Sequence, residues 1–223
     1  GERTFGSDPM QVAALGRAML DGMAKGGVVG VVKHMPGHGR GVVDSHYELP
    51  VVKASDAELE RDIEPFRTLA NAPMGMTCHV VFEAWDAEHP ATLSPTVIAD
   101  VIRGRIGFDG LLMTDDIDMK ALSGTAGEKA AGAIAAGCDV VLDCWGRMDE
   151  MVEIAELLGD MAATSLDRLN RAMANWYRDP FDNPYKQPLT DILGPPLRPD
   201  QLWNPDAVLR VEDIQRRPDT QDR

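Results

Sequence analysis

Four short apolar runs alternate along the chain with segments whose apolar residues recur at helical spacing, and this alternation constrains the possible folds most. The runs lie at residues 28–32, 74–82, 111–114 and 138–142. The polar segment that follows the second run, residues 83–94, is predicted to be a loop. Strands that alternate with helices through short connections predict βα units on a parallel sheet. A doubly wound sheet is the competing topology, but no GxGxxG motif opens any of the predicted helices.

Capping residues mark where the predicted helices begin. Ser7 is a good N-cap, and Asp8 and Pro9 after it suit a first turn. Ser55, with Glu58 three residues later, has the pattern of a capping box. Further helices are predicted over residues 94–107, 128–136 and 149–158.

The composition is that of a globular protein. A hydrophobic content of 44% in 223 residues suffices for one sizeable domain with a packed core. Beyond about residue 178 the chain becomes rich in proline and charge. We therefore expect one domain over residues 1–178 and a tail over residues 179–223 that packs on the surface of that domain.

The charge balance and the cysteines exclude several classes of protein. Lys and Arg number 22 against 36 Asp and Glu, so the formal charge of −14 argues against binding to nucleic acid or anionic lipid. No run approaches the roughly 18 to 20 apolar residues of a membrane span, and no membrane association is expected. Cys78, Cys138 and Cys144 lie in or beside apolar stretches, and we predict reduced, buried cysteines of a cytoplasmic protein.

The segment KHMPGHGRGVVDSH, residues 33–46, combines histidines, a lysine and an aspartate with glycines directly after the first apolar run. In α/β folds, chemistry gathers at the carboxyl ends of such strands. In an extended loop, Asp44 and His46 point to the same side, so the carboxylate can hydrogen-bond the imidazole and favour its protonated form. Such a pair is a proton donor near neutral pH. The alternative is a surface Asx turn with an incidental histidine.

The segment TDDIDM, residues 114–119, places Asp115 and Asp116 at the carboxyl end of the third apolar run. Adjacent carboxylates after a buried strand are costly unless they are paired, hydrogen-bonded or used in chemistry. One of them could be a nucleophile or a metal ligand. The alternative is that Asp115 or Asp116 caps the next helix.

Lys33 and His34 could hold sugar or phosphate oxygens, although the segment is not a P-loop. A metal site is a further alternative, because histidine and carboxylate ligands are available at His34, His38, His46, Asp44 and Asp115. Against a metal site, the Pro-Gly pair between the first two histidines breaks any helix that could bring them together. His79, at the end of its strand, is expected to be a core histidine or one that supports the site.

Six motifs of the chain resemble, in order and rough spacing, those of the family 3 glycoside hydrolases, specifically the β-N-acetylglucosaminidases of peptidoglycan recycling. They are RTFG at Arg3, KHMPGHG at Lys33, DSH at Asp44, PATLS at Pro90, GFDG at Gly107 and TDDIDM at Thr114. The resemblance covers residues 3–158, and KH-x-PGHG followed by D-x-H is specific for this subfamily. It implies an α/β fold of the (β/α)8 TIM-barrel type, of which this chain contains the C-terminal four βα units.

The resemblance also implies roles for single residues. Asp115 matches the catalytic nucleophile, and His46 matches the general acid/base, which Asp44 orients. The residues that match sugar-binding positions of the family are Arg3, Lys33 and His34. The chain departs from the family pattern at Met35, where phenylalanine is usual, and at Ile117-Asp118, where Leu-Ser is more common.

The implied activity is that of a retaining β-N-acetylglucosaminidase that needs no metal or organic cofactor. The implied substrates are cytoplasmic muropeptides with N-acetylglucosamine linked to 1,6-anhydro-N-acetylmuramic acid. Four βα units of the family barrel, with one sugar-binding aspartate, have no counterpart in this sequence, so the N-terminal half of the barrel is an expected partner. A metal-dependent hydrolase and a non-catalytic sugar-binding fragment are the alternative functions.

Overall fold

The structure is a computed structural model, and it describes residues 4–174. The predicted tail, residues 179–223, lies outside these described residues. The strands are β1 (Val31–Met35), β2 (Val51–Val52), β3 (Met74–Thr77), β4 (Val81–Phe82), β5 (Asp86–Pro90), β6 (Leu111–Asp116) and β7 (Val140–Leu142). The α-helices are α1 (Pro9–Lys25), α2 (Asp56–Asp62), α3 (Glu64–Thr68), α4 (Ala126–Ala136), α5 (Met148–Leu158) and α6 (Ala163–Ala174), and Ala91–Leu93 forms a 3-10 turn and Val97–Arg105 a π-helix. None of the helices within residues 4–174 is both long and apolar enough to cross a membrane.

The main sheet is parallel, and its strand order β1-β3-β6-β7 follows the order of the chain. A doubly wound sheet would reverse its strand order at a switch point. In a TIM-barrel-type α/β fold, by contrast, each new strand pairs with the previous strand of the sheet after a helical connection. The predicted fold class is therefore confirmed, and the doubly wound alternative is wrong.

A second, three-stranded sheet corrects the prediction for residues 74–94. The sequence predicts one strand over residues 74–82 and a loop after it, but β3 ends at Thr77 and the chain then forms β4 and β5. Strand β4 pairs in parallel with β2 and antiparallel with β5. Apolar residues before, within and after the break, namely Met76, Val80 and Phe82, are all buried. Hydropathy alone therefore gives no sign of the change of sheet.

The N-cap of helix α1 is Asp8, one residue later than the predicted N-cap, Ser7. The Oδ1 atom of Asp8, rather than Ser7, accepts a hydrogen bond from the backbone N–H of Gln11 at 2.8 Å. Proline at the first helical position disfavours helical geometry in the residue before it, so Asp8 is extended and takes the N-cap position. The capping box of α2 is confirmed, because Ser55 and Glu58 each accept a hydrogen bond from the other's backbone N–H.

The core lies between the main sheet and the helical segments that follow its strands. Phe108 and Met35 are almost fully buried and meet over the backbone of Gly75 in β3. A Cβ atom at Gly75 would lie 2.9 Å from the Phe108 ring and 3.1 Å from the Met35 sulfur, so only glycine permits this approach. Because the four strands are parallel, their carboxyl ends lie at the same edge of the sheet.

Candidate active site

Two of the predicted site residues meet at the carboxyl edge of the main sheet. His34 lies near the end of β1, and Asp115 lies near the end of β6, with β3 between the two strands. The imidazole Nε2 of His34 is 3.6 Å from Oδ2 of Asp115. Both side chains are partly buried, at 24% and 17% exposure. A protonated His34 therefore forms an ion pair with the Asp115 carboxylate, screened only in part by water.

Asp115 and Asp116 have different surroundings although they are adjacent in the chain. Oδ1 of Asp116 accepts hydrogen bonds from the backbone N–H groups of Asp118 and Cys144, each at 3.2 Å. Asp116 thus joins the loop after β6 to the loop after β7. Neither aspartate caps the next helix, because Thr125 is the N-cap of α4. The helix-cap alternative is therefore wrong.

The DSH segment is both an Asx-type turn and a carboxylate–histidine pair. Oδ1 of Asp44 accepts from the backbone N–H of His46 at 3.0 Å and lies 2.7 Å from Nδ1 of the same imidazole. The two side chains are 60% and 62% exposed. The carboxylate fixes the orientation of the ring and leaves Nε2 directed away from Asp44.

Two further contacts connect the DSH turn with the strand ends. Nε2 of His38 is 3.3 Å from the hydroxyl of Ser45, and the ring of His38 lies edge-on to His34 with centroids 5.7 Å apart. The ammonium of Lys120, in the loop after β6, lies 5.9 Å from the centre of the Tyr47 ring. The turn that carries His46 therefore lies beside the loop that follows Asp115. Within residues 4–174, no hydrogen bond or ion pair joins His46 to Asp115 directly.

Lys33 and Arg3 are the remaining predicted sugar-binding residues. Lys33 is exposed and forms no ion pair with any residue of the described chain. Arg3 lies outside the described residues. The assignment of both to sugar binding therefore remains a prediction.

His79 is fully buried next to the aspartate pair, as expected for a core or supporting histidine. Its Nε2 is 2.9 Å from the backbone carbonyl oxygen of Asp116, and its Nδ1 is 2.8 Å from the hydroxyl of Thr92. Burial lowers the pKa of His79, although the carbonyl of Asp116 and the charges of both aspartates oppose the shift. A neutral ring can donate from Nε2 to the Asp116 carbonyl and accept at Nδ1 from the Thr92 hydroxyl, so both contacts are hydrogen bonds.

Of the side chains considered for a metal site, His34 pairs with Asp115 and His46 pairs with Asp44. Among residues 4–174, no three His, Cys, Asp or Glu side chains are grouped so that they could hold one ion. This arrangement does not favour the metal-dependent alternative.

The prediction of buried, reduced cysteines is confirmed for two residues and wrong for the third. All three thiols are free, but Cys144 is exposed while Cys78 and Cys138 are buried. Cys144 follows β7 in the loop at the carboxyl edge, where the apolar run has already ended. Burial raises the pKa of Cys138 to about 12 and that of Cys78 even further.

Sequence reasoning missed Thr92, Tyr47 and Lys120 near the site. Thr92 is buried and binds His79, but a threonine before a helix reads as an ordinary turn residue. Tyr47 follows His46 directly, which is the one local signal that could have drawn attention to it. Lys120 follows the TDDIDM segment directly, but only the tertiary structure brings it to Tyr47.

Comparison with known proteins connects this geometry to a family. The glycosyl hydrolase family 3 N terminal domain matches residues 1–174. A beta-hexosaminidase of Chromobacterium violaceum is 44% identical over 149 residues, which are 65% of this chain and 42% of that protein.

Solved structures of glycoside hydrolase family 3 enzymes are also similar to this chain. A glycoside hydrolase family 3 beta-N-acetylglucosaminidase from Paenibacillus sp. str. FPU-7 is 33% identical with a TM-score of 0.73, over 79% of this chain and 36% of that one. NagZ from Neisseria gonorrhoeae, in complex with N-trifluoroacetyl-D-glucosamine, is 35% identical with a TM-score of 0.69, over 77% and 51% of the two chains. The chain thus spans between 36% and 51% of the length of these three relatives. With the family match extending over residues 1–174, the chain belongs to glycosyl hydrolase family 3.

Proposed function

We propose that the chain provides the catalytic residues of a retaining β-N-acetylglucosaminidase. The observation that carries this proposal is the pairing of His34 with Asp115 at the edge of the sheet, with the Asp44–His46 pair in the adjacent turn. Glycoside hydrolysis with retention requires a nucleophile and a general acid/base, and here His46 takes the place of the usual second carboxylic acid. The beta-hexosaminidase and beta-N-acetylglucosaminidase relatives support the reaction class.

In the first step, Asp115 attacks the anomeric carbon of a β-linked N-acetylglucosamine as the glycosidic bond breaks. His46 donates its proton to the departing oxygen, and a covalent glycosyl–Asp115 ester forms. In the second step, His46 takes a proton from water, and the water oxygen replaces Asp115 at the anomeric carbon. Two inversions give net retention, and both side chains return to their starting protonation states.

The neighbouring side chains fit these roles. The imidazole of His34, 3.6 Å from the Asp115 carboxylate, holds this side chain at the edge of the sheet where attack takes place. The Asp44 carboxylate holds Nδ1 of His46, which leaves Nε2 for the transferred proton. His34, with Lys33 and Arg3, is proposed to bind the hydroxyls and ring of the sugar that Asp115 attacks.

We propose muropeptides that carry terminal N-acetylglucosamine as the substrates, and the cytoplasm as the place of action. The complex of the Neisseria NagZ with N-trifluoroacetyl-D-glucosamine supports an N-acylated glucosamine in the site. Three free thiols are compatible with a reducing compartment.

We further propose that additional barrel strands complete this domain. In the described residues, β1 and β7 are the edge strands of the parallel sheet. Unpaired edge strands expose backbone hydrogen-bonding groups, which a closed barrel satisfies. The N-terminal half of a family 3 barrel is the proposed partner for these edges. The division into a domain over 1–178 and a tail over 179–223 stays a prediction.

Covalent trapping tests the function. The intact mass of the protein is measured before and after incubation with an activated 5-fluoro N-acetylglucosaminide, and any adduct is located by peptide mapping. We expect one adduct on Asp115, absent in Asp115→Ala. An adduct elsewhere would overturn the assignment of the nucleophile. Hydrolysis that is lost with chelator and restored by zinc would favour the metal-dependent hydrolase, and sugar binding without adduct or turnover would favour the non-catalytic binder.

A further inference from the structure

We propose that His38 and Ser45 position the general acid, because their contact attaches the turn that carries His46 to the carboxyl edge of the main sheet. Nε2 of His38 lies 3.3 Å from the Ser45 hydroxyl. This role rests on the proposed function in one respect, which is that His46 protonates the leaving oxygen. Both are positioning residues, which act through His46 rather than on the substrate, and we refer to them as the His38–Ser45 pair.

Residues 44–48 form a turn that its own backbone holds together. The carbonyl of Asp44 accepts hydrogen bonds from the backbone N–H groups of Tyr47 at 2.9 Å and Glu48 at 3.1 Å. The Asp44 carboxylate accepts from the backbone N–H of His46 at 3.0 Å. These bonds fix the shape of the turn but not its place on the domain, because each of them lies within the turn. The position of His46 therefore depends on what attaches the turn to the rest of the chain.

Ser45 is the residue of this turn that packs against the domain. It is only 5% exposed, whereas the side chains of Asp44 and His46 on either side of it are 60% and 62% exposed. A buried hydroxyl requires a hydrogen-bond partner, and Ser45 has one in Nε2 of His38. The turn is thus attached through a buried serine, while the carboxylate and the imidazole stay at the surface.

The sheet and its neighbouring loop hold His38 in turn. His38 lies three residues after the end of β1, where the backbone N–H of Cys78 donates to the carbonyl of Met35 at 2.9 Å. The ring of His38 packs against Gly41, at which an added Cβ atom would lie 3.3 Å from the ring. It also contacts His34 edge-on, with centroids 5.7 Å apart. These neighbours limit the movement of the ring and of the nitrogen that contacts the turn.

The pair also connects the two proposed catalytic groups. His34, which contacts His38, lies 3.6 Å from the carboxylate of Asp115. The contacts therefore run without a gap from the nucleophile, through the two histidines, to the turn of the acid. A general acid must come within hydrogen-bond reach of the leaving oxygen, which is bonded to the carbon that Asp115 attacks. A turn that is tied to Asp115 by side-chain contacts meets this requirement.

A second attachment of the same loop is weaker. The guanidinium of Arg40 forms ion pairs with Asp62 and Glu58 in α2. These side chains are partly exposed, and exposed ion pairs contribute little because water screens them. Arg40 also lies before the turn and does not contact Ser45, so we assign the attachment of the acid to the buried pair.

Two substrates, hydrolysed by the full chain, separate positioning from a general loss of structure. One is an activated aryl N-acetylglucosaminide, whose leaving group departs without a proton, and the other is a disaccharide with terminal β-linked N-acetylglucosamine, whose leaving hydroxyl needs one. We expect Ser45→Ala to lower kcat/KM about tenfold for the disaccharide but less than about twofold for the aryl substrate. A variant that merely folds less well would lose both activities equally.

Variants of His38 test the partner of the serine. His38→Phe keeps a flat ring beside Gly41 but removes Nε2, and we expect the same selective loss for the disaccharide. His38→Gln places an amide near the position of Nε2 and should retain most of this activity. Because both residues serve one contact, the double variant of His38→Phe with Ser45→Ala should lose no more than the more impaired single variant.

Two control variants leave the pair intact. Ser165→Ala removes another buried hydroxyl, which donates to Asp139 at the amino end of β7, far from the carboxyl edge. Arg40→Met removes the second attachment of the loop. Both should keep the ratio of the two activities. Equal losses for the two substrates in Ser45→Ala, or a larger change of this ratio in Arg40→Met, would overturn the proposal.

Backbone dynamics test the attachment independently of turnover. We expect the NMR order parameters of residues 44–48 to lie at about 0.85 in the wild type and to fall below about 0.6 in Ser45→Ala, with Ser165→Ala like the wild type. If neither substrate is hydrolysed, the proposed function fails for this chain, while the order parameters still test the pair. Unchanged order parameters in Ser45→Ala would overturn the proposal.

Discussion

The imidazole of His79 holds the backbone of Asp116, with Nε2 2.9 Å from the carbonyl oxygen. Because a carbonyl oxygen only accepts, Nε2 donates the hydrogen bond and Nδ1 is left to accept from Thr92 at 2.8 Å. Asp116 follows Asp115 directly, so this buried contact fixes the chain where the proposed nucleophile leaves the sheet. His79 is thus a positioning residue for the edge of β6.

Removal of this imidazole is expected to destabilise the domain. His79→Leu removes two buried hydrogen bonds, one to the Asp116 carbonyl and one to the Thr92 hydroxyl, and we expect the free energy of unfolding to fall by about 2–4 kcal/mol. Urea denaturation measures this loss. The matched control is His89→Ala, because His89 is half exposed. In this variant the free energy of unfolding should fall by less than about 0.5 kcal/mol. Similar losses in both variants would contradict the buried network.

The stability of the domain should depend on pH through His79. Burial lowers the pKa of His79 from its ordinary value of 6.5, to which it returns in the unfolded chain. Between these two pKa values the unfolded state binds more protons than the folded state. The free energy of unfolding should therefore fall below about pH 6.5, by up to about 1.4 kcal/mol per pH unit from this group. In urea unfolding below pH 6.5, the free energy of unfolding should fall more steeply with decreasing pH for the wild type than for His79→Gln. Equal slopes for the two proteins would refute the lowered pKa of His79.

The two adjacent aspartates should respond differently to the same substitution. Asp115→Asn removes the nucleophile, and we expect kcat to fall at least about a thousandfold while sugar binding is retained. Asp116→Asn keeps an oxygen that can accept from the loop N–H groups, so its loss in kcat should be less than about tenfold. Hydrolysis of an aryl N-acetylglucosaminide with parallel sugar titrations measures both effects. The reverse order of losses would assign attack to Asp116.

His46 should matter most where the leaving group is poor. An aryl leaving group of low pKa departs without a proton, whereas a sugar hydroxyl needs one. We expect His46→Ala to lower kcat/KM about a hundredfold or more for a disaccharide, but less than about tenfold for the glycosylation step of an activated aryl glycoside. His89→Ala serves as the histidine control and should change neither. Equal losses for the two substrates would exclude His46 as the acid.

Thiol labelling should distinguish the three cysteines. In the native protein we expect iodoacetamide to modify Cys144 alone, because Cys78 and Cys138 are buried and their pKa values are strongly raised. Partial burial and nearby carboxylates also raise the pKa of Cys144, so its labelling should be faster at high pH than at neutral pH. Mass spectrometry counts the labels, and Cys144→Ser is the control. Native labelling of either buried thiol would contradict the packing.

Local patterns predicted the elements of the main sheet well and the second sheet poorly. Hydropathy located β3 and β6, and the spacing of Ser55 and Glu58 predicted a capping box that the structure confirms. The same hydropathy merged β3 with β4, because buried residues continue without interruption through Val80. Pairing partners, rather than composition, decide where a continuous apolar run changes sheets.

The candidate site was predictable as a set of residues but not as an arrangement. The motifs indicated Asp44, His46 and Asp115, and the structure supplied the contacts around them. The sequence left open whether an aspartate of the TDDIDM segment caps a helix, and the Thr125 cap of α4 answers that question. A local motif cannot show which of two adjacent carboxylates binds neighbouring loops, since those loops are distant in the chain.

By itself, the sequence determined the alternation of strands and helices and the family, and it predicted which residues bear the chemistry, because periodicity, capping and motif spacing are local properties of the chain. Only the tertiary structure decided which of these residues meet. His34 and Asp115 come together because β1 and β6 are parallel strands that flank β3, and Lys120 reaches Tyr47 because two loops end at the same edge. Contacts of this kind depend on strand order and register, which long-range packing sets.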